Sequence, residues 1–130
     1  MTDATPLRVL VQDGPEHLCL TKIASGAKRY EGRLACKVQA WKLELGKCIV
    51  FHCDGKEVPC VVTELLFFQD FGEAYDTLGE LLMPGMTRKT VVEMYNSFWA
   101  QPGERCDEHH PCLAIRLEGV VCIGLRVVRE

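Results

Sequence analysis

The order of strand-like and helix-like segments is the feature that most restricts what this chain can fold into. Runs of apolar and β-branched residues predict extended segments in both halves of the chain, and two helical segments follow one another directly between them. A parallel sheet requires strands and helices that alternate along the chain, and this order does not alternate. We therefore predict an α+β protein with a small, partly closed, mostly antiparallel β-barrel and about three helices. Two of these helices would cover an edge or mouth of the barrel.

Turn and capping signals set the expected bounds of these segments. Asp70 with Glu73, and Thr90 with Glu93, have the spacing at which an N-cap and a following acidic residue open a helix. The predicted extended segments are 7–11, 30–40, 47–53, 58–68, 112–117 and 120–128, and the predicted helices are 16–24, 71–83 and 91–100.

Composition is that of an ordinary globular protein. The 130 residues, 48% of them hydrophobic and 25% charged, predict one domain over 1–130 and exclude a disordered tail. No apolar run approaches the roughly 20 residues of a membrane helix, and the first residues lack the pattern of a signal peptide. Most of the eight cysteines lie in apolar runs, which is typical of buried thiols in a reducing compartment. We expect an intracellular protein, cytoplasmic or nuclear, with no membrane partner.

Charge is distributed unevenly along the chain. The net charge of −3 argues against a general duplex-DNA binder. Residues 1–47 nevertheless carry 8 Lys and Arg against 5 Asp and Glu, whereas residues 48–130 carry 7 against 13. An anion-binding surface is therefore expected to be local and to lie in the N-terminal third. The alternative is a solvated face without a ligand.

A basic segment with one carboxylate, Gly26-x-Lys28-x-x-Glu31-x-Arg33, follows the first predicted helix. A strand's period of two places Arg29, Glu31 and Arg33 on one face, and the long Lys28 side chain can reach that face from the turn. Arginine forks suit phosphates and planar base edges, and Glu31 could orient Arg33 or accept a hydrogen bond from an amino group. The pattern indicates a site for a nucleotide-sized anion. Its alternative is a solvated strand with surface ion pairs worth under about 1 kcal/mol each.

The same Gly-x-Lys-x-x-Glu-x-Arg core resembles the signature of the ASCH domain family, part of the PUA-like barrel superfamily. Residues 43–51, Leu-Glu-Leu-Gly-Lys-Cys-Ile-Val-Phe, are similar to a strand of that family. Leu82-Met-Pro-Gly85, with the helix that follows it, is similar to a helical insertion in one branch. The resemblance extends from Glu16 to Trp99. It implies a PUA-like barrel that either binds RNA or a modified base in a cleft, or hydrolyses an acylated cytidine.

The hydrolase branch, as the resemblance implies it, uses a Lys, a Thr and a Glu. Lys28 matches the Lys, but Glu31 stands where the Thr belongs, so the hydroxyl is absent. Glu80 is the best match for the acidic residue and Glu73 the second. Catalysis would also need the Lys28 amine to lose its proton near neutral pH. If the chain is an enzyme, we expect a hydrolase of a modified nucleoside or of RNA, with Lys28, Glu31 and Glu80 as the predicted catalytic residues. The missing hydroxyl favours binding over hydrolysis.

The favoured interpretation is recognition of single-stranded RNA or of a nucleotide-like small molecule, without a cofactor. Trp41 is the aromatic residue we expect to be exposed for base stacking, whereas Tyr30, which alternates with Glu31, is expected to face inward. The predicted ligand-binding residues are Lys28, Arg29, Glu31, Arg33 and Trp41.

A third interpretation is a protein-interaction module. In that case the Leu82–Gly85 insertion and the helix that carries Trp99 would dock a partner. A pulled-down partner or a stable dimer, without RNA binding or turnover, would favour it.

A cluster of cysteines and histidines near the C-terminus is a possible metal site. Cys106, His109, His110 and Cys112 place four potential zinc ligands within seven residues. Structural zinc sites usually show paired Cys-x2-4-Cys knuckles, which this segment lacks. We predict no metal site, and zinc binding by these four residues is the alternative.

Overall fold

The computed structural model of the chain describes residues 6–11, 19–98 and 119–128. The strands in these ranges are β1 (Leu7–Leu10), β2 (Tyr30–Leu34), β3 (Cys48–Cys53), β4 (Lys56–Phe68) and β5 (Val120–Val127). The helices are α1 (Cys19–Ser25), α2 (Ala35–Trp41), α3 (Phe71–Leu78) and α4 (Arg88–Phe98), with a 3-10 turn at Gly79–Leu81. The predicted strand over 112–117 and the candidate zinc ligands Cys106, His109, His110 and Cys112 lie outside the described residues, as does Trp99.

The five strands form one mixed sheet in the order β1-β3-β4-β5-β2. Only the β1–β3 pair is parallel among these strands, and the other three pairs are antiparallel. The sheet is curled, since Arg33 on β2 donates a hydrogen bond to the Leu10 carbonyl of β1, 3.2 Å away, although these strands are its two opposite edges. The prediction of an α+β, mostly antiparallel and partly closed barrel is confirmed as a half-barrel.

Strand β4 is long enough to pair with two other strands along different parts of its length. Its first half pairs with β3 and its second half with β5. The register with β5 shifts between Val62 and Glu64, opposite Gly124. A Cβ atom at Gly124 would lie 2.8 Å from the Thr63 hydroxyl oxygen, so glycine is required for this close approach. The bulge leaves Thr63 and Glu64 both exposed, which regular alternation would not allow.

The predicted extended segment over 30–40 is wrong in its second half. Strand β2 ends at Leu34, whose partner Val120 is the first residue of β5. Residues after Leu34 therefore have no antiparallel partner on β5, and Ala35–Trp41, which includes good helix formers, forms α2 instead. Lys42 ends this helix in the left-handed region, with φ 54°. The described residues thus hold four helices where about three were expected.

Helix α3 begins at Phe71, after the N-cap Asp70, as the sequence predicts. Asp70 accepts a hydrogen bond from the Glu73 amide at 2.8 Å, and the Glu73 carboxylate accepts one from the Gln69 amide at 3.0 Å. Helix α4 begins earlier than predicted because Thr87, rather than Thr90, acts as the cap. The Thr87 hydroxyl accepts a hydrogen bond from the Thr90 amide at 3.3 Å.

Helices α3 and α4 pack on β2 at its glycine. The rings of Phe71 and Tyr95 are stacked, with centroids 4.5 Å apart and planes 9° from parallel. Both lie over Gly32, where a Cβ atom would be 2.8 Å from a Phe71 ring carbon. Glycine at this position therefore lets the two rings approach the strand and places the Tyr95 hydroxyl beside it.

None of the helices in the described ranges combines the length and the apolar composition that crossing a lipid bilayer requires.

Replacing Gly32 with alanine tests this packing. We expect Gly32→Ala to lower the free energy of unfolding by about 1–3 kcal/mol, because the added methyl group overlaps the Phe71 ring. Urea denaturation measures the loss. In a Phe71→Leu background the same change should cost less, since the ring is gone. Equal costs in the two backgrounds would contradict the packing described.

Candidate functional site

Lys28 is a buried lysine held by three separate parts of the chain. Lys28 is only 1% exposed. Its ammonium donates hydrogen bonds to the Tyr30 carbonyl at 2.7 Å, to the Tyr95 hydroxyl at 3.1 Å and to the Leu82 carbonyl. Gly26, with φ 85°, ends α1 in the left-handed region and turns the chain towards β2. Three acceptors match the three donors of an ammonium group.

Glu31 lies beside this ammonium and is 4% exposed. One carboxylate oxygen accepts hydrogen bonds from the Tyr95 hydroxyl and the Gly32 amide, each at 3.0 Å, and lies 3.5 Å from the Lys28 nitrogen. The other oxygen accepts a hydrogen bond from Arg33 at 3.4 Å. Glu31 therefore joins the two cations of the segment.

Arg33 forms the end of this network nearest the surface. Its side chain is 11% exposed, and its guanidinium lies 5.8 Å from the centre of the Trp41 ring, within cation–π range. Trp41 is half-buried. We call Lys28, Glu31, Arg33 and Tyr95 the ionic cluster. The structure thus brings together four of the five predicted ligand-binding residues, namely Lys28, Glu31, Arg33 and Trp41.

Electrostatics keep the carboxylate of the cluster ionised. Burial alone would raise the pKa of Glu31, but the charges of Lys28 and Arg33 and the hydrogen bonds from Tyr95 and Arg33 lower it below its usual value. Burial, followed by the charge of Glu31, raises the pKa of Tyr95 well above its usual value. Tyr95 is thus a neutral phenol that donates to an ionised Glu31.

The neighbouring cysteines are unreactive thiols. Burial raises the pKa of Cys19 to about 11 and that of Cys122 to about 12. Thiolate is the nucleophilic form of cysteine, so neither residue is poised to act as a nucleophile. Cys19, Cys48, Cys53, Cys60 and Cys122 are thiols that take part in no disulfide bond.

Tyr95 is the member of the cluster that sequence reasoning missed. In the sequence Tyr95 stands at helical spacing with Val91, Met94 and Phe98, a pattern that predicts a hydrophobic helix face and gives no role to the hydroxyl. The usable signal was chemical, because a tyrosine on a buried helix face needs a hydrogen-bond partner for its hydroxyl.

The remaining predicted residues lie elsewhere. Arg29 is exposed and lines a separate cavity. Glu80 is exposed, and its carboxylate accepts a hydrogen bond from the Gly85 amide at 2.7 Å. Leu82 and Met83 are fully buried, so this part of the Leu82–Gly85 insertion belongs to the core and presents no docking surface.

The separate cavity, which we call the β4–β5 cavity, has a volume of about 480 Å³. Its polar lining is Arg29, Tyr30, Thr63, Glu64 and Arg126, together with Lys28. The Tyr30 hydroxyl donates a hydrogen bond to Glu64 at 2.5 Å, and this bond, with burial and the charge of Glu64, raises the pKa of Tyr30 to about 12. Tyr30 therefore directs its hydroxyl to the surface, not inward as expected.

Within the described ranges, no group of three or more His, Cys, Asp or Glu side chains could hold a metal ion.

Removing the Tyr95 hydroxyl tests the role of the cluster in stability. We expect Tyr95→Phe to lower the free energy of unfolding by about 1–3 kcal/mol, because a buried ammonium and a buried carboxylate each lose a partner. The matched control is Tyr75→Phe, which removes one hydrogen bond from a half-buried hydroxyl to the Met86 carbonyl. Urea denaturation compares the two. A smaller loss for Tyr95→Phe than for the control would contradict the network.

The lowered pKa of Glu31 predicts an acid dependence of stability. A carboxyl whose pKa is lower in the folded state stabilises the fold above its ordinary pKa of 4.5, and this contribution is lost as pH falls through the folded value. The stability advantage of wild type over Glu31→Gln should therefore shrink as pH falls below 4.5. Denaturation curves over a pH series measure it, with Glu93→Gln on the exposed side of α4 as control. An advantage independent of pH would contradict the assignment.

Comparison with known proteins finds solved structures that share this fold. No family model and no curated protein matches the chain. Among solved structures, hypothetical protein PH0355 has 23% identity and a TM-score of 0.72, with 95% of this chain and 100% of that one covered. Protein PF0455 from Pyrococcus furiosus, solved by NMR in solution, has 22% identity and a TM-score of 0.68, with 97% and 100% covered.

A third solved structure is protein EF3133 from Enterococcus faecalis V583, which carries the family designation DUF984. It has 12% identity and a TM-score of 0.65, with 95% of this chain and 76% of that one covered. None of the three names states an activity. At these identities the likeness shows that the half-barrel is shared.

Proposed function

We propose that the chain is an ASCH-type domain of PUA-like architecture that binds single-stranded RNA or a nucleotide derivative through Arg33 and Trp41, with Lys28 and Glu31 in support. The observation that carries the proposal is the convergence of Lys28, Glu31 and Arg33 in one cluster that reaches the surface at Arg33 and Trp41. The curled half-barrel supports it, because it is consistent with the fold of the family that the motif resembles.

The energetic cost of the ionic cluster supports a role beyond stability. Burying charged groups requires their desolvation, and apolar residues of similar volume often stabilise a fold as well or better than a buried ion pair. A buried cluster of two cations and one carboxylate is therefore an inefficient way to stabilise a protein core. Perturbed and buried ionisable groups concentrate at functional sites, where fixed charges recognise ligands.

The accessible end of the cluster has the chemistry for nucleotide recognition. Arg33 offers a planar guanidinium, which suits phosphates and base edges, and the nearby Trp41 ring offers a stacking surface. Glu31 accepts a hydrogen bond from Arg33 and thereby restricts its orientation. In this proposal Lys28 fixes Glu31, Glu31 fixes Arg33, and Arg33 with Trp41 contacts the ligand.

The position of Lys28 favours binding over the alternative hydrolase activity. A lysine that acts as nucleophile or base needs a free amine lone pair directed at the substrate. Here the nitrogen donates to two carbonyls and one hydroxyl and lies near a carboxylate, which is the environment of a charged donor. Glu80, another of the three predicted catalytic residues, accepts a hydrogen bond from the Gly85 amide.

An intracellular location belongs to the same proposal. Cys19, Cys48, Cys53, Cys60 and Cys122 take part in no disulfide bond although Cys48 is exposed, which supports a reducing compartment.

Binding measurements test the proposal. We expect a labelled single-stranded RNA of mixed sequence to bind, with an affinity that falls as salt is raised. Arg33→Lys keeps the charge but loses the fork, and Trp41→Leu loses the stacking surface. Each should weaken binding by about tenfold, the effect of about 1.4 kcal/mol. Lys89→Ala, which removes an exposed charge on α4, is the matched control.

A turnover assay, run beside the binding measurements, tests the hydrolase interpretation. Turnover of an N4-acylated cytidine that disappears in Lys28→Met would establish the hydrolase. No binding of RNA or nucleosides by the correctly folded wild type, or equal binding by Arg33→Lys and wild type, would refute the proposed function. Circular dichroism spectra and thermal unfolding of each variant verify folding.

A further inference from the structure

We propose that the β4–β5 cavity is a second binding site, for a phosphate group carried by a ligand of nucleotide size. The phosphate would lie between the guanidinium groups of Arg29 and Arg126. Neither Glu31 nor Arg33 lines this cavity, so the site is distinct from the one proposed above. It also uses β4 and β5 residues that the motif does not contain.

The two arginines of the cavity differ from the other arginines that the structure describes. Both are exposed, and neither guanidinium makes an ion pair or hydrogen bond with another described residue. By contrast, the remaining described arginines each pair with a carboxylate. These pairs are Arg8 with Glu57, Arg33 with Glu31, and Arg88 with Asp76.

Two unpaired guanidinium groups at one cavity are the chemistry expected of a phosphate site. In a chain of net charge −3, carboxylates are more numerous than cations, so pairing is the ordinary outcome for an exposed arginine. Cations that line the same cavity repel each other, and an anion bound between them removes this repulsion. Arginine also binds phosphate oxygens through two parallel N–H groups, which fixes orientation as well as charge.

The bulge in β4 completes the polar wall of the cavity. Because the register shifts opposite Gly124, the consecutive residues Thr63 and Glu64 both line the cavity, although a regular strand would turn one away. The Thr63 hydroxyl has no hydrogen-bond partner among the described residues. It is available to donate to a phosphate oxygen or to a sugar hydroxyl.

Glu64 and Tyr30 indicate that the ligand carries more than phosphate. A carboxylate opposes a bare polyanion, but it accepts hydrogen bonds from the hydroxyl or amino groups of a nucleoside. The Tyr30 hydroxyl holds Glu64 at 2.5 Å, and the Tyr30 ring forms part of the wall. Ile23, Leu81 and Leu125 supply apolar lining. A volume of about 480 Å³ is in the range of small-molecule sites.

The phosphate could belong to a free mononucleotide or to the backbone of a single-stranded RNA. The chemistry at Arg29 and Arg126 is the same in both cases, and two probes separate them. We suggest titrations of the full chain with cytidine 5′-monophosphate, with cytidine, and with a short single-stranded RNA. Amide chemical shifts report the site of binding.

The critical variant is the double substitution Arg29→Ala with Arg126→Ala. We expect cytidine 5′-monophosphate to bind wild type about tenfold or more tightly than cytidine, and the double variant to lose this preference. Arg8→Ala, which removes an exposed arginine outside the cavity, should retain it. If only RNA binds, and the double variant weakens it, the phosphate is that of the RNA backbone and the site stands.

Two results would overturn this inference. One is that neither phosphate probe binds, and the other is that the double variant binds both phosphate probes as tightly as wild type. These outcomes are independent of the Arg33→Lys and Trp41→Leu measurements, because the two sites share no ligand-contacting residue. RNA binding that depends on Arg33 but not on Arg29 or Arg126 would support the first site and refute the second.

Discussion

The buried Lys28 ammonium is the interaction on which the rest of the site depends. Its acceptors come from β2, from the segment after the 3-10 turn and from α4, at separations of 2, 54 and 67 residues along the chain. An ammonium without these acceptors would be costly to bury. Burial of the Lys28 charge therefore requires Leu82 and α4 to be in place. These contacts link the Gly26–Arg33 segment to the helices that cover the half-barrel. Glu31 then balances the charge locally and directs Arg33 towards Trp41.

Sequence reasoning succeeded where the cause was local. Period two placed Glu31 and Arg33 on one face, and their 3.4 Å contact agrees with it. It failed where a partner is distant. The burial of Lys28 depends on Leu82 and Tyr95, and the end of β2 depends on where β5 begins. No property of residues 35–40 alone announces that β5 begins opposite Leu34. The mostly antiparallel half-barrel was predictable because element order restricts topology more than element bounds do.

Glu31 changes what the motif can do. Three residues after Lys28, the chain has a carboxylate fixed by the Tyr95 hydroxyl and the Gly32 amide. This carboxylate lies 3.5 Å from the Lys28 nitrogen and also accepts a hydrogen bond from Arg33. The geometry around Gly32 makes the arrangement possible, since only glycine lets Phe71 and Tyr95 approach so closely. Tyr95 and Glu31 engage the Lys28 ammonium, which argues against a catalytic role for Lys28. Through Glu31, the same contacts help to position Arg33.

One short segment lines two different environments. Glu31 and Arg33 join the ionic cluster, whereas Arg29 and Tyr30, where the strand begins, line the β4–β5 cavity. The predicted common face for Arg29, Glu31 and Arg33 holds for the last two only, since Arg29 precedes the regular strand. A substitution at Lys28 would disturb both environments, because its ammonium belongs to the cluster while the residue also lines the cavity. Loss of binding in a Lys28 variant therefore cannot assign a ligand to either site, and assignment rests on residues that belong to one environment alone.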